Sequence, residues 1–489
     1  MVAEKDKYYN TKAVVITESN AVSCSLNLSD ENEEKVLSLT GEVFQPTYDR
    51  EDDLIVYGGL ATFNAVFGGD ELMRIEAGAK FSFKTALPEK EATVVKIEYR
   101  VENVTLKKEG GMLYAAATVV AEITFGLVVE NEFVTSLDAL TKSGTALIPV
   151  ERAFGGSYEF SDEFEEKKIK RVLQSQARVA LKSVFARENA VVCEGECVIS
   201  VLMLAFSDGE VLKTVRRVPF SFECDCEGAS SDDCAYGDAA VDKLSLKVYV
   251  DEEKNRSDVS VEVTLKFVGA AINFKQTQII CDCYSPEIEL VPSFAPIETI
   301  KYTGACATER VSGAATCAVP EYSRLLKCVG EGVEIADNRL IDGRLNVSGV
   351  LFGSALFADG ENAITSRKFE LPFSVAVVCD AQAVDNVKVT AEEVYLKLRA
   401  GRLEAETELV VTYREIEKST YNAVIDVFEG EKKVGEASAI SVYVGRCGDT
   451  EWDVTKRLGV PAEEIIKFNP ELVFPLTGDE KIVVYRKIK

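Results

Sequence analysis

The sequence contains no histidine among its 489 residues. That absence removes the commonest general base, the Ser/His and Cys/His nucleophile pairs, and every His-ligated metal site. Carboxylates, lysines and thiols remain, but the 81 Asp and Glu are scattered without a paired motif. No catalytic residue and no cofactor are expected. Positive charge is also short, since 55 Lys and Arg leave a net charge of −26. Most of such a surface repels nucleic acid and acidic membranes. Long apolar runs are missing too. The most apolar stretch, Tyr114 to Val129, is broken by Thr118, Glu122 and Thr124 and falls short of the roughly 20 residues that cross a bilayer, so direct membrane insertion is not expected. The opening MVAEKDKYYN lacks the apolar segment of a secretory signal, which points to the cytoplasm and to reduced thiols for the 13 cysteines.

What is present is an ordinary globular composition, 47% apolar and 28% charged. At roughly 150 residues per domain the length predicts about three domains. Alternation of apolar and polar residues recurs along the chain, as in KLSLKVYV (243–250), DVSVEVTLKF (258–267) and LEAETELVVTY (403–413), and predicts half-buried antiparallel strands. Helical periodicity is confined to Ser29–Leu37, Ser161–Leu173 and the last fifty residues. The predicted fold class is therefore mainly β.

A diverged internal repeat lies beneath this pattern. Three segments, opening at Val36, Val172 and Leu325, align in order and spacing. Leu37 to Gly59 and Leu173 to Gly195 both span 22 residues, and Leu326 to Gly349 spans 23. Because a one-residue slip turns a strand over, matched distances predict matched strands. Each copy continues through a turn to a strand carrying a Phe: KFSF (80–83), VPFSF (218–222) and LPFSV (371–375). Pro286, Pro292 and Pro296 suit an extended connector between copies two and three. The expected layout is repeat 1 at 20–131, repeat 2 at 158–272, a linker at 273–318, repeat 3 at 319–420 and a different module at 438–489.

In that last module a strand (Ser441–Val444) leads to Gly448-Asp449-Thr450, where Thr450 can cap a helix with Asp453 three residues on. Gly459 stops the helix. Pro461 opens a second one with Ile465 and Phe468 facing inward, Asn469-Pro470 ends it, and Lys481–Tyr485 closes the unit as a strand. This βααβ unit resembles the LysM module, through the GDT-x-W-D-x-x-K-R-x-G-V stretch at Gly448–Val460 and the I-x-x-x-N run after it. The upstream repeats, with V-x-x-G and then a strand ending in P-F, are similar to the SPOCS repeats of spore-coat morphogenetic proteins. The joint resemblance implies three β-sandwich-like repeats followed by a LysM module. It also implies a non-catalytic adaptor of coat and envelope assembly, made in the mother-cell cytoplasm and assembled at the forespore surface. The implied partner is a morphogenetic ATPase like stage IV sporulation protein A, or another coat protein, held in a LysM groove of Gly448, Asp449, Thr450, Glu451, Trp452, Phe468, Asn469, Pro470 and Leu472.

The alternative is a cell-wall protein that binds peptidoglycan, a possible glycan partner being the N-acetylglucosamine chain. Two departures weigh on it. Glu451 stands where glycan-binding modules have an apolar residue, and Leu476-Thr477-Gly478-Asp479 replaces their Pro-Gly turn. Trp452, the only tryptophan, has two readings, packing on the module and partner contact. Asn469 and Pro470 serve either to end the helix or to line the groove.

Seven of the 13 cysteines fall between Cys193 and Cys283. In the pairs Cys224-Asp-Cys226 and Cys281-Asp-Cys283 both sulfurs share a strand face, an arrangement that could offer thiolates to Zn²⁺. The spacing matches no zinc knuckle, and buried small hydrophobes are the commoner use of free cysteine. No metal site is assigned.

Overall fold

A computed structural model describes residues 3–69, 72–206, 210–321, 323–359, 363–433 and 440–485. The chain is mainly β, 79% strand and 4% helix. One six-strand topology occurs three times. In the first unit the strands are β1 (Ala3–Ser29), β2 (Val36–Glu51), β3 (Leu54–Phe67), β4 (Met73–Ala86), β5 (Thr93–Glu109) and β6 (Met112–Leu137). The second holds β7 (Leu140–Lys167), β8 (Ile169–Arg187), β9 (Ala190–Ala205), β10 (Val211–Asp225), β11 (Cys234–Asp251) and β12 (Arg256–Tyr284). The third holds β13 (Ile288–Ala314), β14 (Arg324–Ile341), β15 (Arg344–Ala358), β16 (Ile364–Val378), β17 (Ala383–Ala391), a short β18 (Tyr395–Arg399) and β19 (Arg402–Lys432). In every unit strands two, three and four form one antiparallel sheet, and the first strand pairs with the last and the last with the fifth to form another. The two sheets face each other across a core, in the second unit built on Val191, Ile199, Val201, Phe220, Val261 and Phe267.

The aligned residues meet in register. Gly59 lies opposite Phe81, Gly195 opposite Phe220 and Gly349 opposite Phe373. A Cβ at Gly195 would stand 2.3 Å from the Ala180 carbonyl oxygen and 2.8 Å from the Phe220 ring, so the ring covers the glycine and only glycine fits. Phe220 and Phe373 are buried, while Phe81 is half-buried, stacks on Phe83 and meets Tyr99 edge-on. Opposite each glycine the second strand carries a bulge, between Phe44 and Thr47, Leu181 and Ser183, and Ile335 and Asp337. A second bulge at the start of the same strands takes Leu37, Leu173 and Leu326 out of the ladder. Bulges re-aim side chains, and these three leucines meet in one cluster with Val66, Leu204, Val329 and Leu356.

That cluster lies on a pseudo-threefold axis. The fourth strand of each unit lies against the second strand of the next, β4 on β8, β10 on β14 and β16 on β2, so the three units close into a ring. Below the leucines the axis is polar. Lys213 pairs with Glu331 at 2.6 Å, both nearly fully buried, and Arg178 donates to the Glu331 carbonyl oxygen. One fifth strand from each unit then builds a second polar layer. In it Asp238 accepts from Lys96 at 2.7 Å, from Lys388 at 2.9 Å and from Asn386 at 2.7 Å. Burial alone would raise the Asp238 carboxyl, but Lys388 and Lys96 hold it well below the usual carboxylate range. Beyond this layer the first and last strands of each unit run on as two-stranded ribbons. Tyr8 and Phe133, Ile148 and Ile279, and Ile297 and Ala423 from the three ribbons pack into an apolar hub.

Three expectations are corrected. Residues 273–318, expected as a linker, contain the end of β12 and all of β13. Pro292 and Pro296 fit there because β13 pairs only with β19 and is a sheet edge, where a missing N–H is tolerated. Ser161–Leu173, expected to be helical, is the end of β7 and the start of β8. Its half-buried Asp162, Phe164 and Glu166 alternate with exposed Ser161, Glu163 and Glu165 against β12. The corresponding leader in the first unit, Asp30–Lys35, is a 3-10 turn capped by Ser29. The repeat starts at 20, 158 and 319 omit most or all of each unit's first strand. In residues 3–10 only Tyr8 is buried, so that ribbon carries no period-two signal.

Candidate functional site

The C-terminal segment has the element order β20 (Ile440–Val444), α1 (Glu451–Leu458), α2 (Ala462–Phe468) and β21 (Lys481–Tyr485), with β20 antiparallel to β21. Its core is Val454, Val460, Ile465, Leu476, Ile482 and Val484. Thr450 caps α1 through a capping box: its hydroxyl oxygen accepts from the Asp453 backbone N–H at 3.3 Å, and the Asp453 carboxylate accepts from the Thr450 N–H at 3.0 Å. The Thr450 hydroxyl also donates to that carboxylate at 2.6 Å, and these bonds hold it below its ordinary pKa. Gly459, in the left-handed region at φ +64°, ends α1.

The nine residues of the expected groove do different work. Gly448, at φ +88°, forms an exposed turn whose N–H donates to the Leu476 carbonyl oxygen at 2.8 Å, and Leu476 N–H returns to Asp449 at 2.9 Å. The Gly448–Thr450 loop is thus tied to Leu476, four residues beyond the expected neighbour Asn469–Leu472. The Asp449 carboxylate holds this loop by accepting from the Arg446 backbone N–H at 2.9 Å and pairing with Arg457 at 3.1 Å. Glu451 and Pro470 are exposed, and Leu472 packs at the rim of the core. Asn469 staples α2 to β21, its amide donating to the Ile465 and Val483 carbonyls at 2.8 and 2.9 Å while its oxygen accepts from Val483 N–H at 2.8 Å. Phe468, expected to face inward with Ile465, is 40% exposed and packs on Tyr485, with ring centroids 4.4 Å apart. The chain reverses at Asn469, and Leu472 and Leu476 supply the apolar groups on the inner side instead.

Trp452 leaves the groove altogether. Its indole N–H donates to Asp282 Oδ2 at 2.8 Å and its ring meets Tyr284 edge-on at 5.1 Å, both at the ribbon tip of the second unit. Lys456 Nζ reaches both Asp282 oxygens at 2.6 and 2.7 Å, and Tyr284 donates its hydroxyl to the Val460 carbonyl at 3.0 Å. Sequence reasoning missed Asp282 and Tyr284. Nothing in Cys281-Asp-Cys283-Tyr284 marks a docking point; the only hint is that an indole N–H needs an acceptor. The outer face of β20 and β21 stays open, with Ile440, Val442 and Val444 each more than half exposed.

The clustered cysteines separate. Cys193, Cys197, Cys224 and Cys226 lie in the core of the second unit, whereas Cys281 and Cys283 belong to the ribbon hub. The neighbouring Cys224 sulfhydryl, together with burial, pushes the Cys193 thiol up. Among the described residues no three His, Cys, Asp or Glu side chains are grouped to hold a metal ion, and no helix is long and apolar enough to cross a membrane.

Neither the curated proteins nor the solved structures offer a match to the chain. Residues 168–249, which run from the start of β8 through most of β11, match the family model described as SipL, SPOCS domain. The second unit therefore carries a SPOCS-matching segment, and this match supports a sporulation-related role.

Proposed function

We propose that this protein is a non-catalytic adaptor of spore coat and envelope assembly. In this reading all three units are SPOCS repeats, and the C-terminal βααβ segment is a LysM-type module that binds a sporulation scaffold protein. The partner would be a morphogenetic ATPase like stage IV sporulation protein A, or another coat protein, met in the mother-cell cytoplasm at the forespore surface. The observation that carries it is the SPOCS match to the second unit, extended to the other two by their identical six-strand topology and glycine-to-phenylalanine register. The module's open face carries exposed Ile440, Val442 and Val444 with Lys481 and Tyr485 opposite them on the ladder, an apolar patch with polar groups at its ends of the kind protein partners cover.

The test is affinity capture of the full chain from sporulating cells, read by mass spectrometry, beside a chain ending at residue 433. The full chain should retain a coat scaffold protein and the truncated chain should lose it. With a net charge of −26, association with a basic partner surface should weaken as salt is raised. Sedimentation of the protein with purified peptidoglycan, with no protein partner captured, would refute the adaptor reading in favour of wall binding.

A further inference from the structure

We infer that Asp282 and Tyr284 of the second unit are positioning residues for the C-terminal module, and that Trp452 serves this seat rather than a partner. The inference rests on the adaptor reading for its functional consequence, and on geometry alone for the seat. Trp452 and Lys456 are four apart on α1 and so share one face, and that face is taken up by Asp282. The single carboxylate accepts three hydrogen bonds from it, one from the indole and two from the ammonium. Indole has one donor, so Trp452 has none left for a partner. The Tyr284 ring is 5% exposed, closed over by the module, and its hydroxyl is spent on the Val460 carbonyl.

The charges around the seat alternate in sign. Lys142 stands across the ribbon from Asp282, and Lys456 pairs with Asp282 from the module. Local backbone supports the arrangement. A bulge at Cys281, between Ile280 and Asp282, leaves Ile280 and Cys283 together in the apolar ribbon packing and puts Asp282 on the opposite face, where it meets the module. Where the chain leaves the third unit, Lys433 donates from Nζ to the Ser285 carbonyl at 2.8 Å and from its backbone to Glu287 at 2.9 Å, which tethers the module's approach next to the same tip. Domains joined by a linker move relative to one another by default. Here a charged, directional contact fixes one orientation, in which Ile440, Val442 and Val444 stay exposed.

Trp452 is the only tryptophan, so its fluorescence in the full chain reads the seat directly. Asp282→Ala should red-shift the emission and raise acrylamide quenching, with an unchanged far-UV spectrum. Asp282→Asn keeps an acceptor for the indole and should give a smaller change, and Tyr284→Phe should change quenching without affecting the Lys456 ion pair. Asp282→Ala should also weaken capture of the coat partner about tenfold, as expected for losing one charged, hydrogen-bonded anchor. Unaltered emission and quenching in Asp282→Ala would overturn the seat. A released indole with equal or tighter partner binding would overturn the positioning role, since the contact would then be idle or a brake. If the wild-type chain captures no coat partner while the fluorescence responds as stated, the adaptor reading fails and the seat stands.

Discussion

Leu173→Ala tests the closure of the ring most directly. Leu173 is 0% exposed and packs with Leu37 and Val66 from the first unit, Leu202 and Leu204 from its own, and Val329 and Leu356 from the third. Truncation forfeits the transfer free energy of the lost methylenes and leaves a cavity that the surrounding strands, pinned by their ladders, can close only in part. At fully buried sites the change costs about 2.7–5 kcal/mol. Leu37, at 8% exposure, should cost somewhat less than Leu173, and Leu54, at 38% exposure, should cost under about 1 kcal/mol and serves as the control. Urea unfolding followed by far-UV circular dichroism should show the main β transition moving to lower denaturant with an unchanged slope, because the missing contacts belong to all three units at once. A loss below about 1 kcal/mol would refute the buried axial position. A transition that splits, with the first and third units melting at the wild-type midpoint, would refute the coupling between units.

Glu42 lies at the junction of the first two units, where burial raises its carboxyl pKa against the pull of Gln176, Arg178 and Arg74, with Glu76 adding repulsion. A raised acid leaves folding unpenalised while the group is protonated in both states, below the unfolded value near 4.5, and burdens it as pH rises through the folded value. Glu42→Gln should therefore raise Tm more at pH 8 than at pH 4, and an equal shift at both would contradict the assignment. Asn469→Ala removes two hydrogen bonds to Val483 of β21 and one to Ile465 of α2, and leaves both backbone groups of Val483 without that partner. It should destabilise the module by about 2–4 kcal/mol, seen as lost amide protection in α2 and β21 with the ring unaffected. Retained protection there would show that the staple is dispensable.

Much of this architecture was legible in the sequence, because period-two alternation and constant spacing are local properties. The mainly β class, the three aligned segments, the Thr450 cap and the Gly459 stop each depend on residues a few positions apart. The equivalent strand positions of Gly59, Gly195 and Gly349 follow from the same arithmetic, since strand register converts sequence distance into position, whereas the pairing of each with a phenylalanine depends on the intervening turn. The first strands escaped notice because a two-stranded ribbon exposes most of both faces and buries a single residue, Tyr8, in its first stretch. What only the tertiary structure decided is where bulges turn side chains and which distant surfaces meet. Leu37, Leu173 and Leu326 align in sequence as ordinary strand residues, yet a bulge at each sends them to a shared axis. Asp238 finds Lys96 and Lys388 only because three fifth strands converge. Trp452 is held by Asp282, 170 residues earlier in the chain, and no local pattern encodes that meeting, because it depends on ring closure bringing the ribbon tip of the second unit to the end of the chain.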